Sequence, residues 1–365
     1  MCSLRQPSLF ELLKITDPHS NVATTDQLEL YEYFAGAGGF STGAAQAGCR
    51  VVYACDSCPL ALETHRRNCP TAEHQCLKLP SREAAARLPT DGRRFHVHCS
   101  PPCVKFSQIN AANVSNQGSK GKTGAVNMIQ WSLDMMLASQ CTSWSMEQVP
   151  SPEVVEMVER VRLAHPERVA WIRVDMSLLG VPQVRKRLIA GTPRLVARLK
   201  RLCSMARRRS VRATLPKLRG THLHHGRSWA TCRLRLNRKL GETKYVLTKA
   251  QWSDNCITVD KPGPTVRARH VPTWVTVVDG KAVDHSVMYP SELATLQTFP
   301  AGYKLPERKF DAYMQVGNAV PPLVARLLLE EEAASAPPVS HLRAPRHLGR
   351  VRELVRVRDW VRVEL

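Results

Sequence analysis

Short apolar runs alternate with helix-like stretches along the first half of the chain. Units of strand, turn and helix are expected near Leu28–Ala47, Val51–Arg67 and Phe95–Cys99, and further apolar runs lie at Thr142–Met146 and Val169–Asp175. Strands that alternate with helices at this spacing are typical of a doubly wound α/β sheet. The pattern therefore predicts one large α/β domain with smaller additions.

The end of the first apolar run carries a glycine turn. Leu30–Phe34 leads into Gly36-x-Gly38-Gly39, and a helix-like stretch follows. Glycines after a strand let the backbone approach a ligand, and the helix start offers free N–H groups. This predicts a nucleotide or nucleoside site, although the full phosphate-binding spacing is absent and a tight turn without a ligand is the alternative.

Asp56 ends the second predicted strand. An acid at that position of a doubly wound sheet is placed to bind ribose hydroxyls. The alternative is a cap for the helix that follows Pro59.

A cysteine follows two prolines after the third predicted strand, in Pro101-Pro102-Cys103-x-x-Phe106-Ser107. The prolines stiffen the backbone on one side of the thiol, which favours a nucleophile at a strand end. A buried, inert cysteine is the alternative, because reactivity depends on the surroundings of the thiol.

Six segments in order resemble the motifs of the DNA cytosine-5 methyltransferases. The resemblance runs from about Leu28 to about Leu329, with a gap where that family keeps its target-recognition segment. The matching segments are Phe34-Ala35-Gly36-x-Gly38-Gly39-Phe40, Pro101-Pro102-Cys103-x-x-Phe106-Ser107, Glu147-Gln148-Val149-Pro150, Gln183-x-Arg185-x-Arg187, Leu296-Gln297-Thr298-Phe299-Pro300 and Gln315-Val316-Gly317-Asn318-Ala319-Val320-Pro321-Pro322.

The resemblance implies a Rossmann-like domain that uses S-adenosylmethionine, joined to a small basic target-recognition domain. Cys103 would add to carbon 6 of a flipped-out cytosine, and Glu147 would protonate N3. Arg185 and Arg187 would favour the adduct, or alternatively contact phosphate only. The residues implied to bind the cofactor are Phe34, Ala35, Gly36, Gly38, Gly39, Asp56, Ser100, Pro101, Asn318 and Ala319.

The sequence departs from the family's usual pattern at several positions. Val104 stands where a glutamine is usual, Gln148 where an asparagine is usual, and Ser100 where a glycine is usual. Ser291 replaces a common arginine, and no acid for the cofactor adenine lies near Gln75-Cys76-Leu77. These departures are expected to affect cofactor affinity and the positioning of the loop that follows Ser107.

Charge is distributed unevenly. The net charge is +21, and no Asp or Glu occurs from Met176 to Gly241, whereas 18 Lys and Arg occur from Arg185 to Lys239. A charge run is often only a solvated face or a tail, but leucines and a tryptophan interrupt this one. A folded basic module predicts a phosphate backbone as partner, here double-stranded DNA.

Twelve cysteines without disulfide-like regularity fit free thiols in a reducing compartment. Cys55-x-x-Cys58 has no second pair at ligand spacing, so no metal is predicted. No segment resembles a membrane span, and Met1–Pro18 lacks the layout of a secretory signal. We therefore expect an intracellular monomer, in the nucleus of a eukaryote or the cytoplasm of a prokaryote.

The predicted function is a DNA cytosine-5 methyltransferase. An RNA cytosine-5 methyltransferase of the same family, or a catalytically weak relative that binds nucleic acid, are the alternatives. The predicted organisation is an N-terminal extension at 1–27, a catalytic domain at 28–193 and 256–332, a basic recognition module at 194–255, and a basic tail at 333–365.

Overall fold

A computed structural model describes residues 27–102, 120–215, 245–248, 256–269, 271–278 and 281–335. Its strands are β1 Glu29–Tyr33, β2 Arg50–Asp56, β3 Glu73–Cys76, β4 Phe95–Cys99, β5 Ser143–Gln148, β6 Ala170–Asp175, β7 Lys186–Gly191, β8 Tyr245–Thr248, β9 Cys256–Thr258, β10 Thr273–Val278 and β11 Lys281–Val287. Its helices are α1 Gly39–Gln46, α2 Pro59–Asn68, α3 Arg82–Ala85, α4 Lys120–Ala138, α5 Pro152–Ala164, a 3₁₀ turn Met176–Leu179, α6 Pro193–Ser204, α7 Val211–Thr214, α8 Pro290–Leu296, α9 Lys309–Asn318 and α10 Pro322–Ala334.

Seven strands form one sheet in the order β3-β2-β1-β4-β5-β7-β6. Only β7 runs antiparallel to its neighbours β5 and β6. The remaining pairs are parallel, so β1, β2, β4 and β5 end at the same edge. The α/β sheet predicted from the apolar runs is confirmed, and its carboxyl edge is where ligands bind in such folds.

Apolar side chains cover both faces of the sheet. On one face, Tyr33, Phe95 and Trp144 pack with helices α4 and α5. On the other, Leu30 and Ile189 pack with α1, α6 and α10. Side chains alternate between faces along a strand, so β1 contributes Leu30 to one cluster and Tyr33 to the other. The strand is buried on both sides, as central strands of parallel sheets are.

The helix α6 packs within this second cluster. Leu195, Val196 and Leu199 are buried there, and Arg198 and Arg201 donate to carboxylates of α10. The predicted boundary after residue 193 therefore precedes a helix that packs against the seven-stranded sheet. We propose that the recognition module begins after this helix.

A second lobe is built from α7, α8, α9 and strands β8 to β11, which form an antiparallel sheet in the order β11-β10-β8-β9. Its core contains Val211, Val266, Leu293 and Val316. Gln183 joins the lobes, because its amide donates to the Leu296 carbonyl at 3.1 Å and accepts from the Val266 N–H at 2.8 Å. None of the described helices has the length and apolar content needed to span a membrane.

Candidate active site

The glycine turn between β1 and α1 requires residues without side chains. Gly38 has φ 88°, and a Cβ there would lie 2.9 Å from the ring of His65. A Cβ on Gly39 would lie 2.3 Å from the carbonyl oxygen of Val320. At Gly38 both the left-handed backbone and the close packing disfavour a side chain, whereas at Gly39 the close packing alone does. The turn therefore brings its backbone and the start of α1 close to the segment that follows α9.

Asp56 closes this turn from the end of β2. Its Oδ2 accepts the Gly36 N–H at 2.8 Å, and its Oδ1 accepts the Cys58 N–H at 2.8 Å. Cys58, not Asp56, is the residue that caps α2. The carboxylate is half-buried, and each of its oxygens has a further lone pair. It can therefore accept hydroxyl hydrogen bonds while holding the turn.

Ser100 and Pro101 lie beside the turn at the end of β4. The Ser100 hydroxyl donates to the Phe34 carbonyl at 3.1 Å. Gln148, at the end of β5, donates its amide to the Pro101 carbonyl at 2.9 Å and accepts the Val149 N–H at 2.7 Å. Gln148 thus fixes the backbone that leads into Cys103, the predicted nucleophile, which lies outside the described residues.

Glu147 faces two arginines from β7 and its approach. The Nε of Arg187 lies 2.7 Å from Glu147 Oε1, and the Nε of Arg185 lies 4.0 Å from the same oxygen. Both guanidinium groups lie on the Glu147 side, as residues two apart on an extended segment do. All three side chains are largely buried, which strengthens the field at the carboxylate.

The two arginines have different neighbours. Arg185 is 2 % exposed, and its guanidinium donates to the carbonyls of Val266 and Ala319, each at 3.1 Å. Arg187 donates to the Lys186 carbonyl at 2.8 Å and keeps part of its side chain exposed. Arg185 is thus held by the second lobe, and Arg187 is the cation next to Glu147.

Asn318 is the last residue of α9, Ala319 follows it, and both close the same region. Ala319 is buried and its carbonyl also accepts from the Gln297 amide at 2.9 Å. Asn318 is exposed at the end of the helix. The structure therefore gathers most of the predicted cofactor residues at one edge of the sheet, with Glu147, Arg185 and Arg187 at the neighbouring strand ends.

A buried polar chain under the glycine turn was not predicted. Glu32 accepts the Ser41 N–H at 3.1 Å and also the Ser41 hydroxyl. His65 Nε2 lies 3.0 Å from that hydroxyl, and its Nδ1 lies 2.9 Å from His74. An acid inside an apolar strand was the available sequence signal. No group of three metal-ligating side chains exists among the described residues.

Comparisons with known proteins agree with this geometry. Residues 28–129 and 168–332 match the model of the C-5 cytosine-specific DNA methylase family. The type II methyltransferase M.HgiDI of Herpetosiphon aurantiacus is 27% identical over 312 residues, which cover 80% of this chain and 90% of that protein.

Solved structures share the fold. A protein described as a DNA modification methyltransferase encoded within an E. coli prophage has a TM-score of 0.53 at 19% identity, covering 84% of this chain and 99% of its own. A DNMT2 variant of Spodoptera frugiperda has 0.51 at 14% identity, covering 83% and 98%. The Dnmt2 methyltransferase of S. pombe has 0.52 at 14% identity, covering 83% and 97%.

Proposed function

Because the chain belongs to the C-5 cytosine-specific DNA methylase family and is a DNA cytosine-5 methyltransferase, we propose that it acts on a cytosine flipped out of double-stranded DNA. We propose S-adenosylmethionine as the methyl donor and a monomer as the active form. The base must leave the stack because its carbon 6 is out of reach inside a duplex.

One observation carries the proposal. Oε1 of Glu147 is buried and accepts no hydrogen bond from any described residue, although the Arg187 guanidinium is 2.7 Å away. Arg187 compensates the charge of the carboxylate as an ion-pair partner, but the contact lies outside hydrogen-bond geometry, and buried oxygens without a hydrogen bond are uncommon in folded proteins. The oxygen gains a partner if the Glu147 carboxyl carries a proton and donates it to the substrate, here to N3 of a flipped cytosine.

The residues at the glycine turn fit the proposed donor. Gly38 and Gly39 leave room for backbone approach only because they lack Cβ atoms. The Asp56 carboxylate, at the end of β2, can accept from ribose hydroxyls. Ser100 and Pro101 border the turn. When bound, S-adenosylmethionine supplies an electrophilic methyl group on a sulfonium.

The chain's own residues make carbon 5 of cytosine reactive. Carbon 5 is a poor nucleophile until the Cys103 thiolate forms a bond to carbon 6, which turns the ring into an enamine. Glu147 gives a proton to N3, so the electron pair does not accumulate on the ring. Arg187 stabilises the charge that forms on Glu147. After carbon 5 is methylated it loses its hydrogen as a proton, and the carbon–sulfur bond breaks.

Covalent trapping tests this proposal. DNA with 5-fluorocytosine at the target cannot eliminate fluorine as a cation, so the adduct with Cys103 should persist. We expect wild-type protein, with S-adenosylmethionine, to form a complex that survives denaturation and whose cross-linked peptide contains Cys103. The Cys103→Ser protein should bind the same duplex without trapping. An adduct on Cys99 or Cys141, or equal trapping by Cys103→Ser, overturns the assignment, and trapping on RNA alone favours an RNA substrate.

A further inference from the structure

A cavity lies where the second lobe meets the catalytic core, and Glu147 does not line it. Its volume is about 110 Å³. The core contributes the 3₁₀ turn Met176–Leu179, α6 and α10, and the second lobe contributes α7 and the end of α8. Most of the wall is apolar, including Leu202, Leu327 and Phe299. A water needs about 10–15 Å³ on this kind of scale, so the space accommodates several non-hydrogen atoms.

Three arginines line the same cavity: Arg207, Arg209 and Arg326. Arg326 pairs with Glu330 at 3.0 Å. Among the described residues, no carboxylate lies within salt-bridge distance of Arg207 or Arg209. Burial and the charge of Arg326 lower the pKa of Arg209. Arg207 is exposed to solvent, whereas Arg209 is half-buried, so Arg209 is the charge at this cavity whose burial costs free energy unless an anion compensates it.

The backbone around the cavity is held in unusual conformations. Thr298, which lines it, has φ 71°, a rare value for a β-branched residue. Ala206, which precedes Arg207, has φ 44°. The Thr298 hydroxyl accepts the Leu323 N–H at 3.0 Å and so fixes the end of α8 on α10. Strained residues persist where the surroundings fix them, and they cluster at ligand sites.

Gly180 and Arg209 lie side by side in the wall of the cavity. The φ of Gly180 is 91°, and a Cβ there would lie 3.6 Å from a methyl of Leu323 and 3.9 Å from the Nε of Arg209. Arg209 is half-buried beside it. The basic residues from Arg185 to Lys239 are therefore not all available to bind DNA phosphate, because Arg209 lines an apolar cavity.

We propose that this cavity binds a small amphipathic anion, with a carboxylate or phosphate monoester head on a short apolar chain. The head meets Arg207, Arg209 and Arg326, since guanidinium groups bind both heads through charge-assisted hydrogen bonds. The apolar chain fills the space between Leu202, Leu327 and Phe299. A DNA phosphate would leave the apolar wall unfilled, because a nucleic-acid backbone has no apolar segment to bury there. The ligand contacts both lobes and would hold them together.

Calorimetric titration of the full chain tests the proposal. Octanoate and octyl phosphate serve as probes and distinguish the two heads, whereas octanol lacks the charge and inorganic phosphate lacks the chain. We expect saturable binding of at least one amphipathic anion, with octanol and inorganic phosphate weaker by roughly tenfold or more.

Two variants locate the site. Arg209→Gln should weaken binding by roughly tenfold, and Leu327→Trp, which fills the cavity, should do the same. Arg308→Gln, at an exposed arginine outside the cavity, should leave binding unchanged. Without ligand, Arg209→Gln should melt no lower than the parent, because it removes a half-buried charge. No saturable binding of either anion, or equal affinity in parent, Arg209→Gln and Leu327→Trp, overturns the proposal.

Discussion

The Nε of Arg187 lies 2.7 Å from Oε1 of Glu147, yet that oxygen accepts no hydrogen bond from a described residue. The guanidinium group is the ion-pair partner of the carboxylate, in a geometry outside that of a hydrogen bond. The arrangement suits a group that must exchange a proton with a substrate atom and carry charge afterwards.

Glu147→Gln keeps the size of the side chain and removes the carboxyl group that can donate or accept a proton. We expect the rate of methyl transfer to fall by about 10²–10⁴-fold, the usual contribution of a positioned general acid. DNA binding should stay within about threefold of wild type, because one neutral amide replaces one buried acid. Single-turnover transfer of a labelled methyl group, beside a binding titration, measures both. A variant with the full wild-type rate would remove Glu147 from the mechanism.

Arg185→Met and Arg187→Met form a matched pair two residues apart. Arg185→Met removes the buried guanidinium that donates to the Val266 carbonyl and, beside the Gln297 amide, to the Ala319 carbonyl, so the free energy of unfolding should fall by about 2–5 kcal/mol. Arg187→Met should cost less stability but should lower the methylation rate strongly. Urea unfolding and single-turnover rates separate the two effects. Equal stability losses would contradict the different roles inferred for these arginines.

The sequence predicted the parts of the site that are local. The glycine turn and Asp56 belong to short segments whose geometry follows from strand, turn and helix, and the structure joins them through the Gly36 N–H. The partners of Arg185 could not be predicted, because Val266 and Ala319 lie far along the chain. Only the packing of the second lobe brings them together.

The role of the basic residues after Arg185 could likewise be predicted only in part from the sequence. The predicted recognition module begins at residue 194, yet Leu195 and Leu199 of α6 pack against the seven-stranded sheet. The acids that balance Arg198 and Arg201 lie in α10, more than a hundred residues later. A count of charges in one stretch of sequence cannot reveal ion pairs between residues that lie so far apart along the chain.

Asp56→Ala should weaken S-adenosylmethionine binding by roughly ten- to a hundredfold, the cost of a charge-assisted hydrogen bond. Because Asp56 also accepts the Gly36 and Cys58 N–H groups, Asp56→Asn is the sharper variant, since it keeps a carbonyl acceptor and loses the charge. Calorimetry with S-adenosylmethionine measures the affinity, and Asp91→Ala at an exposed acid serves as control. Unchanged affinity in both Asp56 variants would exclude a cofactor role for this residue.

Substitution of basic residues should separate DNA contacts from internal ion pairs. Exchange of Arg233, Arg235, Arg238 and Lys239 for Gln, all outside the described residues, should flatten the dependence of log affinity on log salt. Each lost phosphate contact contributes about 0.9 to that slope. Arg198→Gln with Arg201→Gln should leave the slope unchanged, because these arginines pair with Glu330 and Glu331. Fluorescence anisotropy measures the slope. A flatter slope only in the Arg198→Gln, Arg201→Gln protein would show that DNA binds at α6 instead.

Acid should unfold the protein through its buried histidines. His96 lies fully buried between the Ser143 and Ser145 hydroxyls, at 2.7 and 2.8 Å, and burial lowers its pKa to about 3. Burial and the charge of His65 lower the pKa of His74 to about 4. An unfolded histidine titrates near 6.5, so below that pH the unfolded chain binds protons that the folded chain excludes.

The free energy of unfolding should therefore be fully present above about pH 6.5 and fall as the pH drops towards 4. For fully buried His96 the loss at pH 5 is about 2 kcal/mol. His96→Gln, which retains hydrogen-bonding groups for both serines, should be less stable than wild type at pH 8, and the gap should narrow by about that amount at pH 5. Urea unfolding at both pH values measures this gap in the free energy of unfolding. The same gap at pH 8 and pH 5 would show that His96 takes up its proton as readily in the folded chain as in the unfolded chain.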